Sequence, residues 1–247
     1  MTMRAMELLC LSPDDPKYIL DIGCGSGLSG EVLSEHGHQW LGLDISADML
    51  SVAIESEVEG DVLLSDMGHG VPVRPGVFDC AISISALQWL CNADKKCNNP
   101  RSRLRTFFAS LYNSLCKSGK AVFQFFPNSQ DQVEMITESA LRAGFTGGLV
   151  VDFPHSAKAK RYFLVLFCSG GQQLPAAEGV DLQSEQGTVV MGSKRQSAHG
   201  SRHQRKEGNA LHKTRRWVLH KKDSQRKKGI NVRADTKYTG RHRKPAF

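Results

Sequence analysis

Apolar residues along most of this chain fall into two alternating textures. Short runs bounded by Gly, Pro, Ser or Asp read as buried strands at residues 18–22, 39–44, 61–65, 77–84, 120–126, 148–153 and 161–168. Between them, apolar positions return at helical spacing. Leu104, Phe107, Phe108, Leu111 and Leu115 recur at i, i+3, i+4, i+7 and i+11, which predicts a helix opened by Pro100 and ended by Gly119. Residues 28–36 and 46–56 read as two shorter helices, the second capped by Ser46, and residues 131–143 as an amphipathic helix closed by Gly144. Residues 68–76, with Pro72 and Pro75, are irregular, and residues 91–99 form a polar loop. Strands alternating with helices in this way predict a doubly wound α/β sheet.

The texture is lost at Ser169. Residues 169–212 are rich in Gly, Ser, Gln and charge with almost no apolar periodicity, and read as a disordered, flexible linker. Residues 213–228 read as a basic helix with Trp217 as its one large apolar anchor, and the chain closes on a polar, basic stretch. The expected organisation is a catalytic-type α/β domain at 1–168, a linker at 169–212 and a basic tail at 213–247.

Charge sharpens that division. The 247 residues carry a net +7, yet residues 194–247 hold 18 Lys and Arg against 3 Asp and Glu, net +15, and residues 1–193 hold 14 against 22, net −8. A basic tail on an acidic domain is the electrostatic footprint of a polyanion partner. It is compatible with phosphate contacts to RNA, with Trp217 and Tyr238 as stacking residues, and with a bipartite nuclear-import signal at residues 213–216 and 226–228; a solvated charge run is the plainer alternative. The seven cysteines show no C-x-x-C spacing, which points to a reducing compartment with neither disulfide frame nor zinc site. The longest apolar runs are strand-length, so no membrane span is expected.

The candidate chemistry begins where the first strand ends. Asp21-Ile22-Gly23-Cys24-Gly25-Ser26-Gly27 is a turn of alternating glycines opening a helix, and a βα turn of this kind is where open α/β sheets bind nucleotide-like cofactors. Gly reaches positive φ without steric penalty and lets the backbone approach a ligand closely. A dinucleotide turn, G-x-G-x-x-G, would put glycine at 28, where this chain has Leu28. Asp-x-Gly-x-Gly-x-Gly resembles instead the turn of the S-adenosyl-L-methionine methyltransferases. Downstream acids follow in order. Asp44 ends the second apolar run, placed to accept hydrogen bonds from both hydroxyls of a ribose. Asp66-Met67 ends the third; in the methyltransferases it resembles, that pair meets the adenine amino group and packs on the base. Any one strand-end Asp is equally well a helix cap or turn former.

Ser83-Ile84-Ser85-Ala86-Leu87-Gln88-Trp89-Leu90-Cys91-Asn92-Ala93-Asp94 is similar to the eukaryotic 18S rRNA (guanine-N7) methyltransferases. So are Phe125-Phe126-Pro127, Gly147-Gly148-Leu149-Val150-Val151-Asp152-Phe153-Pro154-His155 and the closing Asp235-Thr236-Lys237-Tyr238-Thr239-Gly240-Arg241-His242-Arg243-Lys244-Pro245. The resemblance covers nearly the whole chain from Glu7 onward. It implies the class I methyltransferase fold, a Rossmann-like sheet of seven strands with the last antiparallel, and S-adenosyl-L-methionine as cofactor. It implies methyl transfer to a guanine in 18S rRNA within the pre-40S particle, and a nuclear or nucleolar protein. It also implies a heterodimer with a small zinc-binding methyltransferase activator that adds a strand beyond residues 61–65.

On that resemblance the cofactor is held by Asp21, Gly23, Cys24, Gly25, Gly27, Asp44, Ile45, Asp66, Met67 and Ser83, and the guanine is bordered by Ser85, Gln88 and Trp89. Core packing for Trp89 and loop capping for Gln88 are the competing readings, and His155 reads as a loop histidine. Family members carry a further segment ahead of Glu7 that helps close over the cofactor, and against them this chain reads as N-terminally shortened. Two other functions stay open at this stage: a small-molecule methyltransferase of the same fold, and an assembly factor with a degenerate methyltransferase domain. Leu28 disfavours a nicotinamide dehydrogenase.

Overall fold

The strand signals converge on one sheet. In the computed structural model, which describes residues 1–12, 14–92, 98–156, 158–179, 188–190, 215–227 and 232–235, the strands are Tyr18–Ile22 (β1), Gln39–Asp44 (β2), Asp61–Leu64 (β3), Phe78–Ile84 (β4), Leu115–Phe125 (β5), Thr146–Asp152 (β6), Arg161–Phe167 (β7) and Thr188–Val190 (β8). Their order is β3-β2-β1-β4-β5-β7-β6-β8. β1 to β5 pair in parallel, and β7 runs antiparallel between β5 and β6. This is the expected doubly wound sheet with an antiparallel seventh strand. The reversal between β1 and β4 puts the carboxyl ends of β1, β2 and β4 around one crevice, the usual ligand position in such sheets.

Helices cover both faces. Pro100–Ser114 (α4) and Gln130–Ala143 (α5) bury Phe107, Phe108, Leu111 and Ile136 against one side of the sheet. Thr2–Leu9 (α1) and Leu28–Glu35 (α2) bury Leu8, Leu9 and Leu33 against the other. Ala47–Glu55 (α3) starts as expected at Ser46, whose side chain accepts from the Met49 N–H. Gly144 ends α5 in the left-handed conformation.

Four local expectations change. α4 stops at Ser114, not at Gly119. Leu115 takes extended dihedrals and pairs with Phe78, and a register shift between Phe78 and Cys80 lets β5 begin five residues early. Gly119 therefore lies inside the strand, where an added Cβ would meet the Cys116 carbonyl oxygen at 2.8 Å. α1 is a helix that the apolar pattern did not announce. It is fixed over long range: Arg4 donates to both carboxylate oxygens of the buried Asp152 at 2.9 and 3.2 Å and to the Ala176 carbonyl at 2.9 Å. Within the stretch read as linker, Leu174 and Ala177 pack on the core and Thr188–Val190 adds β8 to β6. Most of the rest of residues 169–212 lies outside the described residues.

Residues 1–194 form one compact unit and residues 195–247 a second. In the second, Arg215–Lys227 (α6) is the basic helix expected near 213–228, and Lys222 and Arg226 bridge to Asp235 at 2.8 and 2.7 Å. Among the described residues no helix is long and apolar enough to cross a membrane.

Candidate functional site

The glycine turn is built from the end of β1 and locked to the end of β2. Gly23, Gly25 and Gly27 have φ of +77°, +57° and +88°, a region that side chains disfavour. Gly23 and Cys24 donate to the Leu43 carbonyl, and the Gly25 N–H donates to Asp44 Oδ2 at 2.8 Å. Space is as restrictive as the dihedral at Gly23, where a Cβ would come within 2.3 Å of the Ala86 Cβ. Asp44 Oδ1 accepts from the Ser46 N–H at 2.8 Å, so one carboxylate ties the turn to the start of α3. A carboxylate has about four acceptor positions, and two of them stay open here toward the cleft.

Asp21 lies fully buried behind the turn. Ser29 Oγ donates to its Oδ2, while Oδ1 is buried with no hydrogen-bond partner. Burial pushes this carboxyl up to about 7; the Ser29 bond opposes the shift and the Asp44 charge adds to it. An orphaned acceptor in so closed a place is uncommon and calls for a donor from outside the chain.

The crevice has a volume of about 570 Å³, and its wall includes Gly23, Asp44, Ile45, Asp66, Met67, Ser85, Trp89 and Arg103. Seven of these come from the sequence-predicted set. Trp89 is 61% exposed, on a 3-10 turn after β4, so it is not a core residue. Other members of the set stand behind the wall. Ser83 is fully buried and its hydroxyl donates to the Ile22 carbonyl at 2.7 Å, a bond between β4 and β1. Cys24 is buried against Gly42, and burial drives its thiol up to about 12. Gly25 and Gly27 shape the turn through their backbone. Gln88 Nε2 donates to the Ser85 carbonyl at 2.6 Å, the loop-capping geometry, and its Oε1 is buried without a partner.

Two residues escaped the sequence reading. Arg103 Nη2 reaches both oxygens of Asp66, at 2.6 and 2.8 Å, and the Gly68 N–H donates to Asp66 Oδ1 at 2.8 Å. A Cβ added at Gly68 would fall 2.2 Å from Arg103 Nε and displace the guanidinium from Asp66. Gln124, fully buried, accepts from Ser85 Oγ at 2.6 Å and holds Ser85 at φ +59°. Both left a trace in the sequence. Arg101, Arg103 and Arg105 crowd the first turns of α4, where the helix dipole disfavours cations, and Gln124 interrupts the apolar run of residues 121–126.

Comparison with known proteins bears on the family and the fold. A family described as "Methyltransferase domain" matches residues 20–123, and one described as "Methyltransferase involved in Williams-Beuren syndrome" matches residues 166–245. The chain is 51% identical over 247 residues to the 18S rRNA (guanine-N(7))-methyltransferase of Mus musculus, covering all of this chain and 86% of the mouse protein. It is 49% identical over 251 residues to the 18S rRNA (guanine(1575)-N(7))-methyltransferase of Saccharomyces cerevisiae, covering 100% of this chain and 88% of that protein. Among solved structures, a TehB-like S-adenosylmethionine-dependent methyltransferase from Corynebacterium glutamicum superimposes with a TM-score of 0.51 at 20% identity, covering 67% of this chain and 86% of that one. Phosphoethanolamine N-methyltransferase 2 of Haemonchus contortus, in complex with S-adenosyl-L-methionine, gives 0.52 at 18% identity, over 67% and 51% of the two chains. These two likenesses concern the fold.

Proposed function

The chain belongs to the 18S rRNA (guanine-N7)-methyltransferase family, and on that premise we propose that it transfers a methyl group from S-adenosyl-L-methionine to N7 of a guanine in 18S rRNA, within the maturing small ribosomal subunit. The observation that carries this is the likeness over the whole chain, tail included.

The residues present fit the cofactor. Asp21 Oδ1 is a buried acceptor in need of a donor, suited to an ammonium group, and the Gly23 cradle is one that any Cβ would fill. Asp44 keeps acceptor positions for two hydroxyls. Ile45 and Met67 line the cleft with apolar surface suited to a flat base, and Asp66, held by Arg103, offers it an acceptor. When bound, the cofactor supplies an electrophilic methyl group.

Guanine N7 carries an in-plane lone pair and no proton, so its methylation requires alignment and no general base. Trp89, exposed at the mouth of the cleft, offers a stacking face for the guanine. Ser85 is fixed from two sides by Gln124 and Gln88, which supports a role in setting the floor under the base. Gln88 acts in this reading through the loop it closes, since its amide nitrogen is committed to Ser85.

The test is transfer of labelled methyl groups to unmodified 18S rRNA, with the label mapped by cleavage at N7-methylguanine. We expect one labelled guanine; label in small acidic metabolites and none in RNA would sink the reading. The basic tail serves RNA affinity and nuclear import in this proposal. Truncation after residue 193 should therefore raise the KM for RNA and flatten its salt dependence, since every phosphate left without its cation lowers the log–log slope by about 0.7.

We further propose that the small zinc-binding activator implied by the resemblance docks at the β3 edge of the sheet. Among the described residues β3 is an edge strand of the sheet, opposite β8, with Leu63 and Leu64 37% and 58% exposed, and Met49, Val52 and Ile54 of the preceding α3 are also exposed. An added strand would pair with this edge and cover that surface. Leu64→Asp should abolish co-purification of the two chains while leaving the fold intact by circular dichroism. Undiminished co-purification would place the partner elsewhere.

A further inference from the structure

The carboxyl rim of the sheet extends past the cleft, and its far part carries side chains that methyl transfer does not use. β4, β5, β7 and β6 are neighbours, with Ile84 level with Gln124, Phe125 with Tyr162, and Arg161 with Asp152. Ser85, Phe126, Arg161 and Phe153 thus stand along one line roughly 14 Å long, three strand spacings.

Phe126 is 47% exposed and Phe153 40%, whereas the other eight described phenylalanines are buried. Phe153 also has φ +49°, a left-handed conformation uncommon for an aromatic residue and typical of functional loops. Its backbone N–H donates to the Glu178 carbonyl at 2.8 Å, which holds the strained turn in place. Immediately beyond it, Lys158, Lys160 and Arg161 fall within four residues, and Lys160 Nζ sits 5.0 Å above the Tyr162 ring. Three of the 14 Lys and Arg of residues 1–193, a stretch of net charge −8, therefore stand at this end of the rim.

Exposed rings beside cations, on a domain that is otherwise acidic, match a strand of nucleotides with splayed bases. Aromatic faces stack any base, and the cations take the phosphates. We propose that Phe126, Phe153, Lys158 and Arg161 form the bed of single-stranded RNA on one side of the target guanine. Bases next to the target stack on Phe126 and Phe153, and Lys158 and Arg161 hold the backbone as it leaves the cleft. The proposal rests on the rRNA-methyltransferase reading and adds to it where the flanking nucleotides run.

Two variants of the full chain test it, Phe126→Ala/Phe153→Ala and Lys158→Ala/Arg161→Ala, the second spanning the loop before β7 and the first residue of that strand. Binding of a fluorescent guanine-containing octanucleotide is followed by anisotropy, methylation of the same RNA by label transfer, and cofactor affinity by calorimetry. The ring variant should lose at least about tenfold in octanucleotide affinity with an unaltered salt slope. The charge variant should lower the salt slope by about 1.4. Both losses should shrink on a dinucleotide too short to reach the loop, and cofactor affinity should stay at its wild-type value. Wild-type octanucleotide affinity in both variants overturns the proposal, as does an equal loss on the dinucleotide; RNA binding unaltered but a protein partner lost would assign the rim to that partner instead. A wild-type chain that methylates no RNA sinks the broader reading, and the anisotropy arm then still decides the rim.

Discussion

Asp44→Ala should remove S-adenosyl-L-methionine binding, with affinity falling on the order of 100-fold or more. The side chain acts twice. In the proposed reading it offers acceptors to a ribose, and it holds the Gly25 and Ser46 N–H groups that shape the glycine turn and the start of α3. Hydrogen bonds to a charged group contribute about 1.5–3 kcal/mol each, and two lost to the ligand already amount to roughly two decades in affinity. Asp44→Asn separates the roles, because its one remaining oxygen can still accept from one backbone group while the charge is gone; its affinity should fall between the two. Calorimetry of cofactor binding to the purified chain is the measurement. Cofactor affinity within threefold of wild type in Asp44→Ala would remove the basis for placing the ribose there.

Asp21 should make both stability and cofactor affinity depend on pH, in opposite senses. Its carboxyl sits at about 7 in the folded protein against 3.8 in the reference state, because burial penalises the charge. A group whose folded value is raised stabilises the fold fully below its unfolded value, and that contribution is lost as pH rises through the folded value. The ligand-free protein should therefore lose stability between pH 4 and pH 7. On the order of 1 kcal/mol of that loss falls between pH 6 and pH 8, which corresponds to a melting temperature lower by a few degrees. Asp21→Asn should flatten this dependence and melt higher than wild type at pH 8.

An ammonium donated to Asp21 Oδ1 requires the charged carboxylate, so cofactor affinity should change the other way. It should weaken several-fold, up to about tenfold, as pH falls from 7.5 to 6. Asp21→Asn should bind weakly at every pH with no such slope. A wild-type affinity flat across that range would mean that Oδ1 does not meet the cofactor's charged end. On this proposal the same buried carboxylate destabilises the empty protein and serves the loaded one, a trade common at ligand sites.

The sequence by itself determined the sheet, the turn and the order of acids along the rim. These are local properties. Alternation marks a strand within a few residues, positive φ demands glycine at 23, 25 and 27, and an acid at a strand's end lies on the carboxyl rim whatever the rest of the chain does. The motifs around Trp89 and Phe153 are specific enough to point to the family before any fold is known. Tertiary structure decided everything that depends on pairs distant in sequence. Ser83 reads as a ligand, yet in a strand buried on both faces nothing local says that its hydroxyl turns to the Ile22 carbonyl, 61 residues away. Arg103 finds Asp66 across 37 residues, Ser85 finds Gln124 across 39, and Arg4 finds Asp152 across 148. A side chain that must satisfy a buried charge or amide is placed by whichever partner the packed core brings near, and only closing the sheet and seating its helices fixes that choice.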